Sequence, residues 1–185
     1  MKKIPTIFER DWEGDKSRVT RQINPECQWV FDGEDYATRK IDGTSVLFKG
    51  NKMFRRRELK PGQSVPTDFV SQGVDPQTGK EVGWVPVGDG PEDKWHQAAR
   101  RPGPWPDGTY ELVGPHIQGN PEILPADILV KHGEGLAGPV PDVPRDFDGL
   151  CEWLKGHDVE GIVFHHSDGR MAKIKGRDFG IARRK

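Results

Sequence analysis

The stretch ATRKIDGTSVLFKGNKMFRRRE, residues 37–58, decides how this chain is read. ATRKI leads to a glycine turn, SVLFK forms a strand, Gly50-Asn51 turns it and KMFRRRE returns, so a hairpin is predicted with its basic residues on strands. Within it, Lys40-Ile41-Asp42-Gly43-Thr44 stands at the end of a strand and opens a turn. Residues two apart on a strand share a face, so Lys40 and Asp42 are expected to project the same way, while Gly43 lets the backbone turn or approach a ligand closely. A lysine so placed is a candidate nucleophile. It must lose its proton to attack, which calls for neighbouring cations or a metal.

Those cations are present in the composition. Residues 39–60 hold eight Lys or Arg against Asp42 and Glu58, and residues 170–185 hold seven against Asp178, whereas the whole chain has a net charge of -1. Two basic segments on an acidic body suggest a localised anion site, for nucleotide phosphates or a nucleic-acid backbone. A length of 185 residues suits one domain, 1–185. With 33% hydrophobic and 31% charged residues, 23 Gly and 16 Pro, the chain reads as polar, loop-rich and globular, neither coiled coil nor membrane-spanning. The opening MKKIPTIFERD meets Pro5, Glu9, Arg10 and Asp11 before any apolar run long enough for secretion, so a cytoplasmic protein is expected. Cys27 and Cys151 stand apart without C-x-x-C partners and are expected to be reduced packing residues.

Outward from the hairpin, residues 61–90 are rich in Gly, Pro, Asp and Gln, with a PQTGK turn, and predict a long loop with at most short strands. PEDKWHQAAR predicts a helix with Pro91 at its first position and Pro102-Gly103 after its end. Strands follow at 109–113 and 127–131, a helix at 146–155 stopped by Gly156, and a final hairpin, VEGIVFHH and RMAKIKG, joined by Ser167-Asp168-Gly169. His165 and His166 are adjacent on a strand, so they point to opposite faces and make a poor chelating pair.

After Lys40-Ile41-Asp42-Gly43 come the arginines 55–57, Tyr110-Glu111-Leu112-Val113-Gly114, Glu160-Gly161-Ile162-Val163-Phe164 and Lys173-Ile174-Lys175. This order resembles the motifs shared by ATP-dependent ligases and mRNA capping enzymes: K-x-D-G, an arginine segment, E-x-x-G, E-G-[IV]-V and K-x-K. The match runs from Lys40 to Lys175, and the full sequence, including RRELKPG, ELVGPHIQGNPE and GRMAKIKGRDFG, is similar to the small RNA ligase 1 family. Thr44-Ser45 follows the first motif where DNA ligases and capping enzymes usually place an arginine, and ten residues follow Lys175, so no OB-fold domain is expected.

The resemblance implies an α+β domain of antiparallel sheets flanked by helices, with the nucleotide held between them. It implies that Lys40 attacks the α-phosphate of ATP, that Lys173 and Lys175 meet that phosphate, and that Glu160 helps hold Mg²⁺ or Mn²⁺. It further implies nucleotide contacts from Asp42 and Gly43, from Glu111 to the ribose, from Ile162 or Val163 to adenine, and from Arg55 and Arg57, which strand alternation sends to the face opposite Arg56. The implied partners are RNA ends carrying 5′-phosphate and 3′-hydroxyl. Rival readings are the same chemistry on DNA nicks, guanylyl transfer, protein AMP transfer, and an idle RNA-binding module, against which intact Lys40, Asp42, Glu160, Lys173 and Lys175 argue.

Overall fold

The structure, a computed structural model, describes residues 4–76, 78–101 and 103–183. In chain order its elements are β1 (Phe8–Arg10), β2 (Val19–Ile23), α1 (Gln28–Phe31), β3 (Asp35–Lys40), β4 (Thr44–Lys49), β5 (Lys52–Leu59), β6 (Val70–Val74), β7 (Glu81–Pro86), α2 (Lys94–Arg100), β8 (Gly108–Val113), β9 (Ile128–Lys131), α3 (Phe147–Gly156), β10 (Gly161–His166) and β11 (Met171–Lys175). The strands pair antiparallel, which with the short helices makes an α+β fold. Two compact units divide the chain: Asp42–His132 form one, and Ile4–Ile41 with 133–183 form the other. The division falls inside the K-x-D-G motif, between Ile41 and Asp42. Among the described residues no helix is long and apolar enough to cross a membrane.

In the unit holding Lys40, β10 is the middle strand of a sheet ordered β11-β10-β3. Its register puts Ala37, Ile162, Phe164, Ala172 and Ile174 on one face, each 4% exposed or less, where they join Val30, Leu150 and Leu154 in a core. Strand alternation then sends Lys40, Thr38, Val163, Lys173 and Lys175 to the other face. Leu150 and Leu154 lie four apart on α3 and so share one stripe, and Asp146 caps that helix by accepting from the Gly149 amide at 2.8 Å. The outer edge of β11 is covered by the N-terminal segment, with the Ile7 amide donating to the Lys173 carbonyl at 3.0 Å and the Lys173 amide to that of Pro5 at 2.9 Å.

The other unit is a six-stranded sheet, β6-β7-β5-β4-β8-β9. The β4–β5 hairpin forms as expected, but β3 is not its neighbour: β4 pairs on its other side with β8, and β3 pairs with β10. Strand β3 ends at Lys40, so the alternation argument does not carry across Ile41 to Asp42. Residues 61–90 also differ from the loop predicted. They contain β6 and β7, and β7 is an interior strand between β5 and β6, burying Val82 and Trp84. Gly83 lies under the Phe69 ring, a close approach that turn-rich composition does not reveal.

A 3-10 turn at Pro91–Asp93 leads into α2, with Pro91 in the first position as predicted; Pro102, expected after the helix end, lies outside the described residues, as does Gln77 of the PQTGK turn. Asp93, 2% exposed, binds the Arg55 guanidinium at 2.6 Å and accepts from the Gly88 amide at 2.8 Å, tying this helix entry to β5. Removing one partner of a buried pair strands the other charge. Asp93→Ala is therefore expected to cost about 3–5 kcal/mol in chemical denaturation, and the double variant Asp93→Leu with Arg55→Met much less. A cost for Asp93→Ala below about 1 kcal/mol would show that the pair does not hold the helix entry.

Candidate functional site

Lys40 closes β3, Gly161 opens β10 and Lys175 closes β11, and the three are in register across the sheet. Gly161 brings no side chain, and a Cβ built there would lie 2.1 Å from the Ile174 carbonyl oxygen, so only glycine fits without moving the backbone. Glu160, the residue before it, sends its carboxylate between the two lysines. Its Oε2 accepts from Lys40 Nζ at 2.5 Å, and its Oε1 accepts from Lys175 Nζ. Lys173, two residues before Lys175, is on the same face, so three ammonium groups gather around one carboxylate.

Their protonation reflects that crowding. Burial opposes ionisation of Glu160, but the charges and hydrogen bonds of Lys40 and Lys175 outweigh it and hold the carboxyl below its usual range. Burial, then repulsion from Lys175 and Lys40, pushes Lys173 down to about 8, against the pull of Asp178 and Glu160. Lys175 is lowered by burial and by Lys40, with Glu160 opposing. Such a cluster suits an anionic ligand that supplies the missing negative charge.

Asp178 and Arg10 belong to this arrangement, and neither was among the residues picked from sequence. Asp178, 1% exposed, accepts from the Lys175 amide at 2.9 Å and pairs with Arg10 at 2.8 Å, fixing the end of β11. Sequence showed Asp178 only as the one acid in a basic segment; its burial needs the fold. Ile162 is in the core, fully buried, whereas Val163 lies on the lysine face. His165 and His166 fall on opposite faces, the first bonded to the Thr38 hydroxyl at 2.8 Å and the second paired with Glu34 at 3.2 Å.

The other unit carries its own polar constellation. Glu111, 7% exposed, receives Ser45 Oγ and His132 Nε2 on its Oε2, each at 3.0 Å, and His132 Nδ1 meets Thr109 Oγ1 at 2.9 Å. Gly43 packs against β8 beside it: a Cβ there would lie 2.3 Å from the Leu112 carbonyl oxygen and 2.9 Å from Glu111 Cγ. The Asp42 amide donates to Glu122 at 3.0 Å. Register puts Val46 opposite Arg55 and Ser45 opposite Glu111, so Arg56 is the arginine on the Glu111 face. Burial works against the Arg56 charge, partly offset by Glu58 and Glu111. Arg55 turns to the opposite face and to Asp93, and Arg57, on that same face, is exposed. A cavity of about 460 Å³ between α2 and the following loop, lined by Asn51, Gln97, Arg100, Arg101 and Trp105, contains none of the motif residues.

Among the described residues no group of three or more His, Cys, Asp or Glu gathers as a ready metal cage. A Mg²⁺ ion that keeps its waters and takes phosphate oxygens needs only one or two carboxylates, and Glu160 fits that part.

Fold and site thus define an α+β protein with three lysines gathered around one carboxylate on a three-stranded sheet. No family model matches the chain. Over 81 residues, 40% of this chain and 24% of the relative, it is 36% identical to RNA ligase 1 of Danio rerio. The corresponding identities are 35% for RNA ligase 1 of Pongo abelii and 32% for that of Rattus norvegicus, over the same shares. The matched stretch therefore spans about a quarter of the length of these curated relatives.

The unfolded chain keeps the Lys173 proton up to the usual lysine range, while the folded protein releases it near 8. Between those values the unfolded state binds more protons, so stability should rise as pH climbs from about 8 toward 10.5, by roughly 1–3 kcal/mol. Lys173→Met should flatten that rise and be the more stable protein at pH 7. Urea denaturation across the window checks this, and an unchanged slope in the variant would place the titration elsewhere.

Proposed function

We propose that this chain is an ATP-dependent RNA ligase that works through a covalent lysyl-AMP. The observation that carries the reading is the Lys40–Glu160–Lys175 cluster with Lys173 beside it, an excess of cations waiting on an anion at the residues where the ligase motifs fall. The partial likeness to RNA ligase 1 proteins supports the same substrate class.

In this reading an α-phosphate takes the place of the missing negative charge among the three lysines. Lys40 Nζ, unprotonated, attacks phosphorus; the P–N bond forms, the bond to the bridging oxygen breaks, and pyrophosphate leaves with that electron pair. Glu160, 2.5 Å from Lys40 Nζ, is the acceptor in reach for the departing proton. Lys173 and Lys175 stabilise charge growing on the phosphoryl oxygens, a role that preorganised cations fill without reorganising. When bound, a divalent ion held by Glu160 and phosphate oxygens supplies further charge neutralisation. AMP then passes to an RNA 5′-phosphate, and the 3′-hydroxyl of a second end displaces it to close the phosphodiester. Nick sealing in DNA and guanylyl transfer use the same lysine chemistry and are separated from this reading by substrate.

Incubation with each labelled NTP and Mg²⁺, followed by 5′-phosphorylated RNA or DNA, tests the proposal. ATP should label the protein through an acid-labile, alkali-stable phosphoramidate, Lys40→Ala should abolish the label, and Glu160→Ala should slow labelling at least 100-fold. Labelling that persists in Lys40→Ala, or comes from GTP alone, overturns the assignment. RNA ends should be sealed far better than DNA ends of the same sequence. Raising salt should weaken RNA binding steeply but hardly alter capture of AMP from saturating ATP.

A further inference from the structure

The unit 42–132 carries a second cationic surface, built on α2 and the chain just after it, that the lysyl-AMP chemistry leaves unused. His96 and Ala99 are the buried residues of this helix, and Ala99 joins the core beneath it. Lys94, Gln97 and Arg101 recur at i, i+3 and i+7, so they form one outward stripe; Lys94 and Arg101 are exposed, and Gln97 and the neighbouring Arg100 are half-buried. Arg100 and Arg101 open onto the cavity of about 460 Å³, with Gln97, Asn51, Asp89 and Trp105 along its wall.

The neutral groups of that wall are committed inward. Gln97 Nε2 donates to the Gly88 carbonyl at 2.9 Å and Trp105 Nε1 to the Arg100 carbonyl at 3.0 Å, while Arg100 Nη2 donates to the Asn51 carbonyl at 2.9 Å and so braces the guanidinium against the β4–β5 turn. The charges are not committed. Lys94 rests over the Trp95 ring, 4.4 Å from its centroid, and among the described residues no carboxylate pairs with Lys94, Arg100 or Arg101. Of the two acids before the helix, Asp93 is engaged by Arg55, and the Glu92 carboxylate lies back over Gly90. The exposed Asp89 in the cavity wall likewise has no hydrogen-bond or ion-pair partner among the described residues.

We propose that α2 and this cavity dock the backbone of a single RNA strand, with phosphates on Lys94, Arg100 and Arg101 and a ribose hydroxyl on Asp89. The proposal rests on the RNA-joining reading above and adds a place for the strand outside the motif residues. At 1.5 Å per residue, Lys94 to Arg101 covers about 10 Å, the axial reach of about three stacked nucleotides. Phosphates repeated along a strand suit cations spread over that distance. The compact charge of a free triphosphate does not, and Asp89 would repel it. A carboxylate accepts from a hydroxyl, so Asp89 suits the 2′-hydroxyl that RNA has and DNA lacks. Guanidinium forks match phosphate oxygens, and the one already braced by Asn51 has less freedom to lose on binding.

The test measures equilibrium binding of single-stranded RNA with a 5′-hydroxyl, which cannot accept AMP, over a range of salt, alongside lysyl-AMP formation from ATP. Arg101→Gln, at an exposed position, should weaken RNA binding by about fivefold or more and reduce the slope of log affinity against log salt by about 0.7; adding Arg100→Gln should bring that reduction to about 1.4. Lysyl-AMP formation should be unchanged in both. Lys155→Gln, which removes an exposed lysine on α3, should leave RNA affinity within about twofold of wild type. Asp89→Ala should narrow the preference for RNA over DNA of the same sequence. Unaltered RNA affinity and slope in the double arginine variant overturns the proposal, and so does an equal loss in Lys155→Gln, which would mean that net charge alone is felt. Loss of lysyl-AMP formation in the arginine variants overturns it too, because the cavity would then serve the nucleotide or the fold. An RNA-to-DNA ratio untouched by Asp89→Ala overturns the ribose contact. If wild type forms no lysyl-AMP, the parent reading fails; if it forms lysyl-AMP and binds RNA while the arginine variants match it, only the docking site is lost.

Discussion

One carboxylate has to balance three ammonium groups on the side of a three-stranded sheet that faces away from its core, and much of this unit is arranged around that demand. Glu160 satisfies two of the lysines by contact. Lys173 is left in a buried place where its own charge is disfavoured. Partly buried like charges are tolerated only when something else over-determines their positions. Here it is the ladder: Lys40, Lys173 and Lys175 are placed by antiparallel register, and a slip of one residue would drive them into the core and expose Ile162, Phe164 and Ile174. Apolar burial on one face thus holds the cations together on the other.

The buried Asp178 extends the same logic to the strand end. Lys175 is the last residue of β11, where fraying is expected, yet its amide is held by Asp178, and Asp178 by Arg10 from the N-terminal segment. That segment also covers the edge of β11 through Ile7 and Pro5. Residues far apart in sequence therefore set the position of one lysine.

The β4–β5 and β10–β11 hairpins, β8, β9, α2 and α3 were legible because period-two and period-3.6 patterns and turn residues are local signals. Partnering was not. Nothing local distinguishes a β3 that runs on into β4 from a β3 that ends at Lys40 and pairs 120 residues later, as the bond to Glu160 records. Within the site, Lys40, Glu160, Lys173 and Lys175 were readable from motif order, and the structure brings these four together. The arginine run was readable only as alternation. Which parity faces Glu111 depends on the β4–β5 and β4–β8 registers, and these select Arg56 for that face and give Arg55 to the buried Asp93. The interior place of β7, where short strands in a loop were expected, shows the converse, since Gly83 and Pro86 register as turn formers although one is a packing site and the other ends a strand.

The two motif glycines show why composition undersells such positions. Gly43 and Gly161 both invite a reading as hinges, because glycine relaxes the backbone. Neither has a positive φ; what each supplies is the absence of a side chain at a contact with backbone, the Leu112 carbonyl for Gly43 and the Ile174 carbonyl for Gly161. Each also neighbours a carboxylate: Glu160 precedes Gly161, and Glu111 Cγ lies against Gly43. A methyl at either position would force strands apart at the point where that carboxylate is aimed. A glycine beside a charged residue is then a steric condition on where the charge sits, and tolerance to substitution there measures rigidity rather than flexibility.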